Sequence, residues 1–196
     1  MSKAIIVDYE AGNIRSVANM LASLGVDFEI TSDREKILTA ERIIFPGQGH
    51  FAQAMSNLEK KGLVSVIKQC CEKGIPFLGI CIGLQILFEK SEEAPNVKGL
   101  SIFEGEVKKF TCGKIPQIGW NKVVPTENNI YIPEDYFYYV NSYYVLPKDE
   151  KIISAYTDYN GTFCAAIQKD NVTAVQFHPE KSAEAGLRFF KNWLNK

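Results

Sequence analysis

Pro76-Phe77-Leu78-Gly79-Ile80-Cys81-Ile82-Gly83-Leu84-Gln85 is the passage that decides how this chain folds. A short apolar run closed by a turn signal is how a strand covered on both faces looks in sequence, and a helix is expected to begin near Cys81. Gly79 and Gly83 flank that cysteine two positions to either side. Small neighbours let the chain, and a bound molecule, approach a side chain raised above the sheet on a cramped turn. The helix N-terminus favours a thiolate through its dipole, and its first free N–H groups, Ile82 foremost, can meet an oxyanion. A buried structural thiol is the commoner fate of a cysteine, and it suits Cys70, Cys71, Cys112 and Cys164. Cys81 reads as a nucleophile.

Upstream of this turn, β-branched runs alternate with helical patterns, which predicts an α/β fold: a parallel sheet with crossover helices. Strands are expected at Ala4 to Asp8, Val26 to Thr31 and Arg42 to Phe45, with a helix from Asn13 to Leu24 stopped by Gly25 and one long helical stretch up to Lys73. After Pro95 the pattern shifts to short alternating segments: Leu100 to Phe110, Gly119 to Val124, Tyr136 to Val140, Ile152 to Tyr156, Phe163 to Ile167 and Val172 to Phe177. A last helix, capped by Ser182, carries Leu187, Phe189, Phe190, Trp193 and Leu194. With no repeat or flexible linker, residues 1–196 read as one domain. Open α/β sheets place their sites beyond the carboxyl ends of the strands, where Pro46-Gly47 and Cys81 both fall.

Composition narrows the function. Hydrophobic residues make up 46% and charged ones 23%, with a net charge of −1, so there is no basic field for nucleic acid. No stretch approaches the roughly 20 apolar residues of a membrane span, and the N-terminus has no leader pattern, so a cytoplasmic protein is expected. Five cysteines without a CxxC pair read as thiols, and two histidines supply no familiar metal-ligand spacing. Neither a metal nor another cofactor is expected.

A cysteine acting on an amide needs a base, an acid for the leaving amine and a group to orient the base. Val175-Gln176-Phe177-His178-Pro179-Glu180 offers these at once. Residues i and i+2 of an extended segment share a side and proline favours extension before it, so Glu180 is expected beside His178, fixing its tautomer. His50 reads as an ordinary surface or core histidine. Pro46-Gly47-Gln48-Gly49 is a flexible turn whose peptide N–H groups, at Gly47 and Gly49, can point at a developing oxyanion.

The elbow GICIGLQ (79–85), the distant FHPEKS (177–182) and the turn PGQG (46–49) together resemble the class I, or triad, glutamine amidotransferases along the whole chain. The resemblance implies a flavodoxin-like doubly wound, mostly parallel sheet with added strands in the second half, and a Cys81-His178-Glu180 triad that releases ammonia from L-glutamine. It further implies that Gly49 serves the oxyanion site and that Gln85, Glu93, Ser142 and Tyr143 hold the substrate. DYEAGNIRSV, FPGQGHF, LFEKSEE, IPQIGWN, YYVNSYY and QFHPEKS are nearest to those members that serve a HisF-type (β/α)8-barrel synthase of histidine biosynthesis. By that likeness Asn13, Arg15, Trp120, Tyr138 and Lys181 face the partner, with core packing the rival role for Trp120 and Tyr138. Gln117 and Asn141 stand where the family usually has histidine. A paralogue feeding a sugar-amidating enzyme of glycan synthesis therefore stays open, and a non-catalytic regulatory subunit or a stand-alone peptidase is further off.

Overall fold

The computed structural model describes residues 3–10 and 12–195; Met1, Ser2, Ala11 and Lys196 lie outside the described residues. The expected alternation appears as β1 (Ala4–Val7), α1 (Ile14–Ser23), β2 (Phe28–Thr31), α2 (Arg34–Leu38), β3 (Arg42–Phe45), α3 (Phe51–Lys61), α4 (Val64–Glu72), β4 (Phe77–Ile80) and α5 (Ile82–Gln85). The second half follows as β5 (Lys90–Ser91), β6 (Gly105–Lys109), β7 (Gln117–Pro125), β8 (Asp135–Asn141), β9 (Tyr143–Pro147), β10 (Ile153–Asp158), β11 (Thr162–Lys169), β12 (Val172–Val175) and α6 (Ala183–Leu194). Two 3-10 turns, Glu150–Ile152 and Pro179–Lys181, complete it.

The main path of the sheet runs β2-β1-β3-β4-β12-β11-β10-β7-β8. From β2 to β12 every neighbour is parallel, and from β12 onward the pairing turns antiparallel. The fold is thus α/β, with the additional strands in the second half. Alternation along the parallel strands splits the core in two. Ile5, Val7, Ile43, Phe45 and Phe77 pack with Met55, Leu58, Val66 and Ile67 of α3 and α4. Ala4, Ile6, Ile44, Leu78 and Ile80 pack with Val17 and Leu21 of α1 and Phe189, Phe190 and Trp193 of α6. Helices therefore cover both faces, as period-2 strands buried on each side require.

Several expectations are corrected. The long helical stretch is two helices, because Gly62 closes α3 in a left-handed conformation (φ 62°, ψ 33°). The stretch from Leu100 forms strand only from Gly105, and β9 and the Asp33-capped α2 went unforeseen. Ser182 precedes α6 but its hydroxyl does not cap it: Oγ donates to the His178 carbonyl at 2.6 Å and accepts from Tyr138 N at 2.9 Å. Cys70 and Cys164 are buried, but Cys71 is only partly so and Cys112 is exposed.

Candidate active site

Cys81 sits between β4 and α5 with φ 55° and ψ −106°, a region L-residues rarely adopt. Its N–H donates to Val175 O at 2.8 Å, tying the end of β4 to the end of β12. The two flanking glycines are needed for space. A Cβ on Gly79 would stand 2.7 Å from Gly83 O, and one on Gly83 would run into the carbonyl of Phe45. The strained turn persists because close packing on both sides over-determines it.

His178 arrives from the end of β12 and is wholly buried; its N–H donates to Tyr138 O at 2.8 Å. Nδ1 lies 2.7 Å from Glu180 Oε1, both side chains being fully enclosed. The pair meets by a route other than the expected extended segment: Pro179–Lys181 is a 3-10 turn that folds Glu180 back under the ring. Nε2 has no aligned hydrogen bond among the described residues, and Cys81 is near enough for its charge to act on the ring. Burial alone would lower the imidazole pKa; the nearby charge of Cys81, then Glu180, outweighs this and raises it well above its ordinary value.

Glu180 Oε1 also accepts from the side-chain amide of Asn13, whose Nδ2 is 3.5 Å from His178 Nδ1. Asn13 precedes α1 in a left-handed conformation (φ 79°). Its amide is thus engaged inside the site, although the residue is only half-buried.

The carboxyl ends of β3 and β4 and the region around β8 and β9 enclose a cavity of about 270 Å³, lined in part by Gln48, Cys81, Ile82, Pro116, Val140 and Asn141. All five residues expected at the substrate, Gly49, Gln85, Glu93, Ser142 and Tyr143, line it as well. Glu93 Oε2 already accepts from Phe51 N at 2.7 Å, at the start of α3. Gln85 Nε2 donates to Tyr143 O at 3.3 Å and to Gln176 Oε1 at 3.0 Å.

The two glycines of the 46–49 turn differ. Gly47 is clamped: a Cβ there would strike the Tyr9 hydroxyl and lie 3.0 Å from Ile82 Cβ. Gly49 has φ 128° and nothing within 4 Å of where its Cβ would be. Tyr9 holds the turn, donating its hydroxyl to Pro46 O at 2.8 Å and stacking on Phe45 with ring centroids 4.6 Å apart. Sequence reasoning missed Tyr9, which has no motif of its own. It also missed Gln176, although the period of an extended chain sets Gln176 on the same side as His178. His50 is exposed and accepts from Ala52 N at 3.2 Å, capping α3.

Of the positions expected at a partner, Trp120 is 53% exposed, which rules out core packing for it. It meets Tyr138 edge-to-face at 6.2 Å across the β7–β8 pair, beside Ile118 and Tyr136, both also exposed. Arg15 is exposed and Lys181 half-buried. Gln117 and Asn141 are cross-strand partners in the same pair and buried, turned away from this outer face. Among the described residues no cluster of three potential metal ligands occurs and no helix is long and apolar enough to cross a membrane.

The family model for glutamine amidotransferase class-I matches residues 5–196. The chain is 45% identical over 198 residues to imidazole glycerol phosphate synthase subunit HisH of Moorella thermoacetica, covering 98% of this chain and 94% of that protein. It is 44% identical to the HisH subunit of Aquifex aeolicus, covering 99% and 97%. Among solved structures, a glutamine amidotransferase superposes with a TM-score of 0.79 at 17% identity, covering 97% of both chains. PurLQS of Thermotoga maritima gives 0.75 at 19%, covering 100% of this chain and 99% of that one, a likeness of fold. The chain accordingly belongs to the class I glutamine amidotransferases and, within them, to the HisH family.

Proposed function

We propose that this glutamine amidotransferase hydrolyses L-glutamine through Cys81 and supplies the ammonia to a HisF-type (β/α)8-barrel synthase, which makes imidazole glycerol phosphate and AICAR in histidine biosynthesis. The observation that supports the chemistry is that Cys81 lines the cavity while the buried His178, 2.7 Å from Glu180 Oε1, is close enough to Cys81 for the sulfur's charge to act on its ring. Cys81 Sγ, its proton passed to His178, attacks the carboxamide carbon. The oxyanion is received by the N–H of Ile82 and by the 46–49 turn, at Gly47 or Gly49. His178 then protonates the departing ammonia, leaving a γ-glutamyl thioester, and deprotonates the water that releases glutamate and restores the thiol. Glu180 holds the imidazole in the tautomer that presents Nε2 to the sulfur. Gly49, Gln85, Glu93, Ser142 and Tyr143 hold the amino acid.

The partner is expected on the side of Asn13, Arg15, Trp120, Tyr138 and Lys181, where Trp120 and Tyr138 offer aromatic surface of the kind interfaces favour. The cytoplasm is the natural compartment for such a reaction. An unregulated glutaminase wastes glutamine, so the turn is expected to rest inactive until synthase and acceptor bind. Crowding at Gly47 and open space at Gly49 support taking Gln48-Gly49 as the peptide that changes orientation. A second reading, ammonia supply to a sugar-amidating enzyme, draws on the buried Gln117–Asn141 pair where the family usually carries histidine.

The test is glutamate release by the purified chain alone, with the HisF-type subunit and its substrate, and with a sugar-amidating synthase. Stimulation by the first partner is expected, and stimulation only by the second would overturn the pathway. Cys81→Ala should abolish hydrolysis, and a glutamine-analogue affinity label mapping to another cysteine would overturn the nucleophile.

A further inference from the structure

A relay of side-chain amides ends on the candidate nucleophile. Gln176 follows β12 and is wholly buried; its Nε2 is 3.5 Å from Cys81 Sγ and its Oε1 accepts from Gln85 Nε2 at 3.0 Å. Amide oxygen and nitrogen are alike in shape, so the network must decide which end is which. Here a backbone carbonyl decides. Gln85 reaches Tyr143 O with one end of its amide, and a carbonyl oxygen only accepts, so that end is Nε2. Nε2 also meets Gln176, whose facing atom must then be Oε1, and this turns the Gln176 N–H toward the sulfur. The same constraint leaves Gln85 Oε1, itself buried, as the one unpaired atom of that amide, on a residue that lines the cavity.

We propose that Gln176 is a positioning residue of this site: it holds Cys81 Sγ as a hydrogen-bond acceptor and fixes the orientation of the Gln85 amide beside the cavity. A sulfur receiving an N–H from Gln176 is the better acceptor once its own proton has gone to His178, so the contact favours the thiolate–imidazolium form over the neutral pair. Gln176 and His178, two residues apart on one strand end, thus act on the sulfur from a common support.

The inference rests on the glutaminase reading for its kinetic arm only, so wild-type glutamine turnover with the synthase is measured first, and the thiol is read without glutamine. Intact wild type, Gln176→Met and Gln176→Glu are alkylated with iodoacetamide from pH 5 to 10, and the Cys81 peptide is quantified against Cys112, whose exposure makes it an internal reference. In Gln176→Met, Cys81 should react about 10–100-fold more slowly at neutral pH, with its profile moved up by about one to two units, the worth of one hydrogen bond to a charged acceptor. Gln176→Glu, which sets a carboxylate beside the sulfur, should shift it further. In turnover, kcat should fall with the thiol and KM rise as Gln85 loses its orientation. A residue that only fills space would change the melting temperature and leave the alkylation profile where it was, and that result overturns the proposal. The unsubstituted chain gives an independent reading: the side-chain 15N–H resonances of Gln176 should move as Cys81 ionises, and resonances that stay fixed through that titration overturn it as well.

Discussion

The side-chain amide of Asn13 donates to Glu180 Oε1, the same oxygen that stands 2.7 Å from His178 Nδ1. A residue at the start of α1 therefore braces the carboxylate that orients the proposed base, while Glu180 Oε2 has no partner among the described residues. Asn13→Ala should lower kcat roughly tenfold, as loss of one hydrogen bond to a charged group does, with KM little changed. Asn13→Asp, adding a second negative charge beside Glu180, should cost more. Steady-state glutamine hydrolysis with the synthase present checks both, and an Asn13→Ala enzyme of wild-type kcat would remove Asn13 from the site.

His178 provides a prediction with a definite sign. Its pKa is raised to about 10 despite a burial that opposes the charged form. A group with a raised folded pKa stabilises the fold fully below its unfolded value near 6.5 and loses that contribution as pH climbs through the folded value. Wild-type stability should thus decline from neutral pH toward about 10. Cys81→Ala removes the foremost raising cause, so the imidazole pKa should fall and the decline flatten. Imidazole NMR titration together with denaturant melts from pH 6 to 10 reads this; identical titrations in the two proteins would refute it.

Gly47→Ala and Gly49→Ala should fail differently. At Gly47 the new methyl must displace Tyr9 and Ile82, so unfolding free energy should drop by about 1–3 kcal/mol, the usual cost of overpacking. At Gly49 there is room, and only the φ of 128° resists, so the loss should be nearer 1 kcal/mol. Synthase-stimulated turnover in Gly49→Ala should nonetheless fall by up to about 10²–10³, the worth of one oxyanion donor. Urea melts and turnover separate the two, and equal behaviour would contradict the assignment of the flexible peptide to Gln48-Gly49.

The Trp120–Tyr138 pair predicts association. Truncating either residue to alanine should change the stability of the isolated chain by no more than about 1.5 kcal/mol, since their mutual contact is edge-to-face and Trp120 faces solvent. Synthase binding should weaken by about 2 kcal/mol or more if they anchor the interface. Calorimetric titration with the HisF-type subunit measures it, and unchanged affinity in both variants would move the interface elsewhere.

What the sequence disclosed and what it withheld divide along a physical line. The Cys81 elbow and the nearness of Glu180 to His178 were legible because each is decided within a few residues, though the second is reached by a 3-10 turn and not by extension. The break at Gly62 was written in the sequence but overridden by the run of helical spacing around it. Tyr9 and Gln176 were missed, and the bond from Asn13 to Glu180 was unforeseen, because the partners Pro46, Cys81 and Glu180 lie far along the chain. No local pattern says which strand end will come to face which.

The place of β12 bears on how the protein is made. This last strand lies between β4 and β11, in the middle of the sheet, and Gln176, His178 and Glu180 follow it directly. During synthesis Cys81 leaves the ribosome long before His178, its proposed base, and the place beside β4 is filled only when β12 follows. Pairings between distant segments close slowly. Under the proposed mechanism, a chain that ends before β12 should therefore have no base beside Cys81 and should not hydrolyse glutamine.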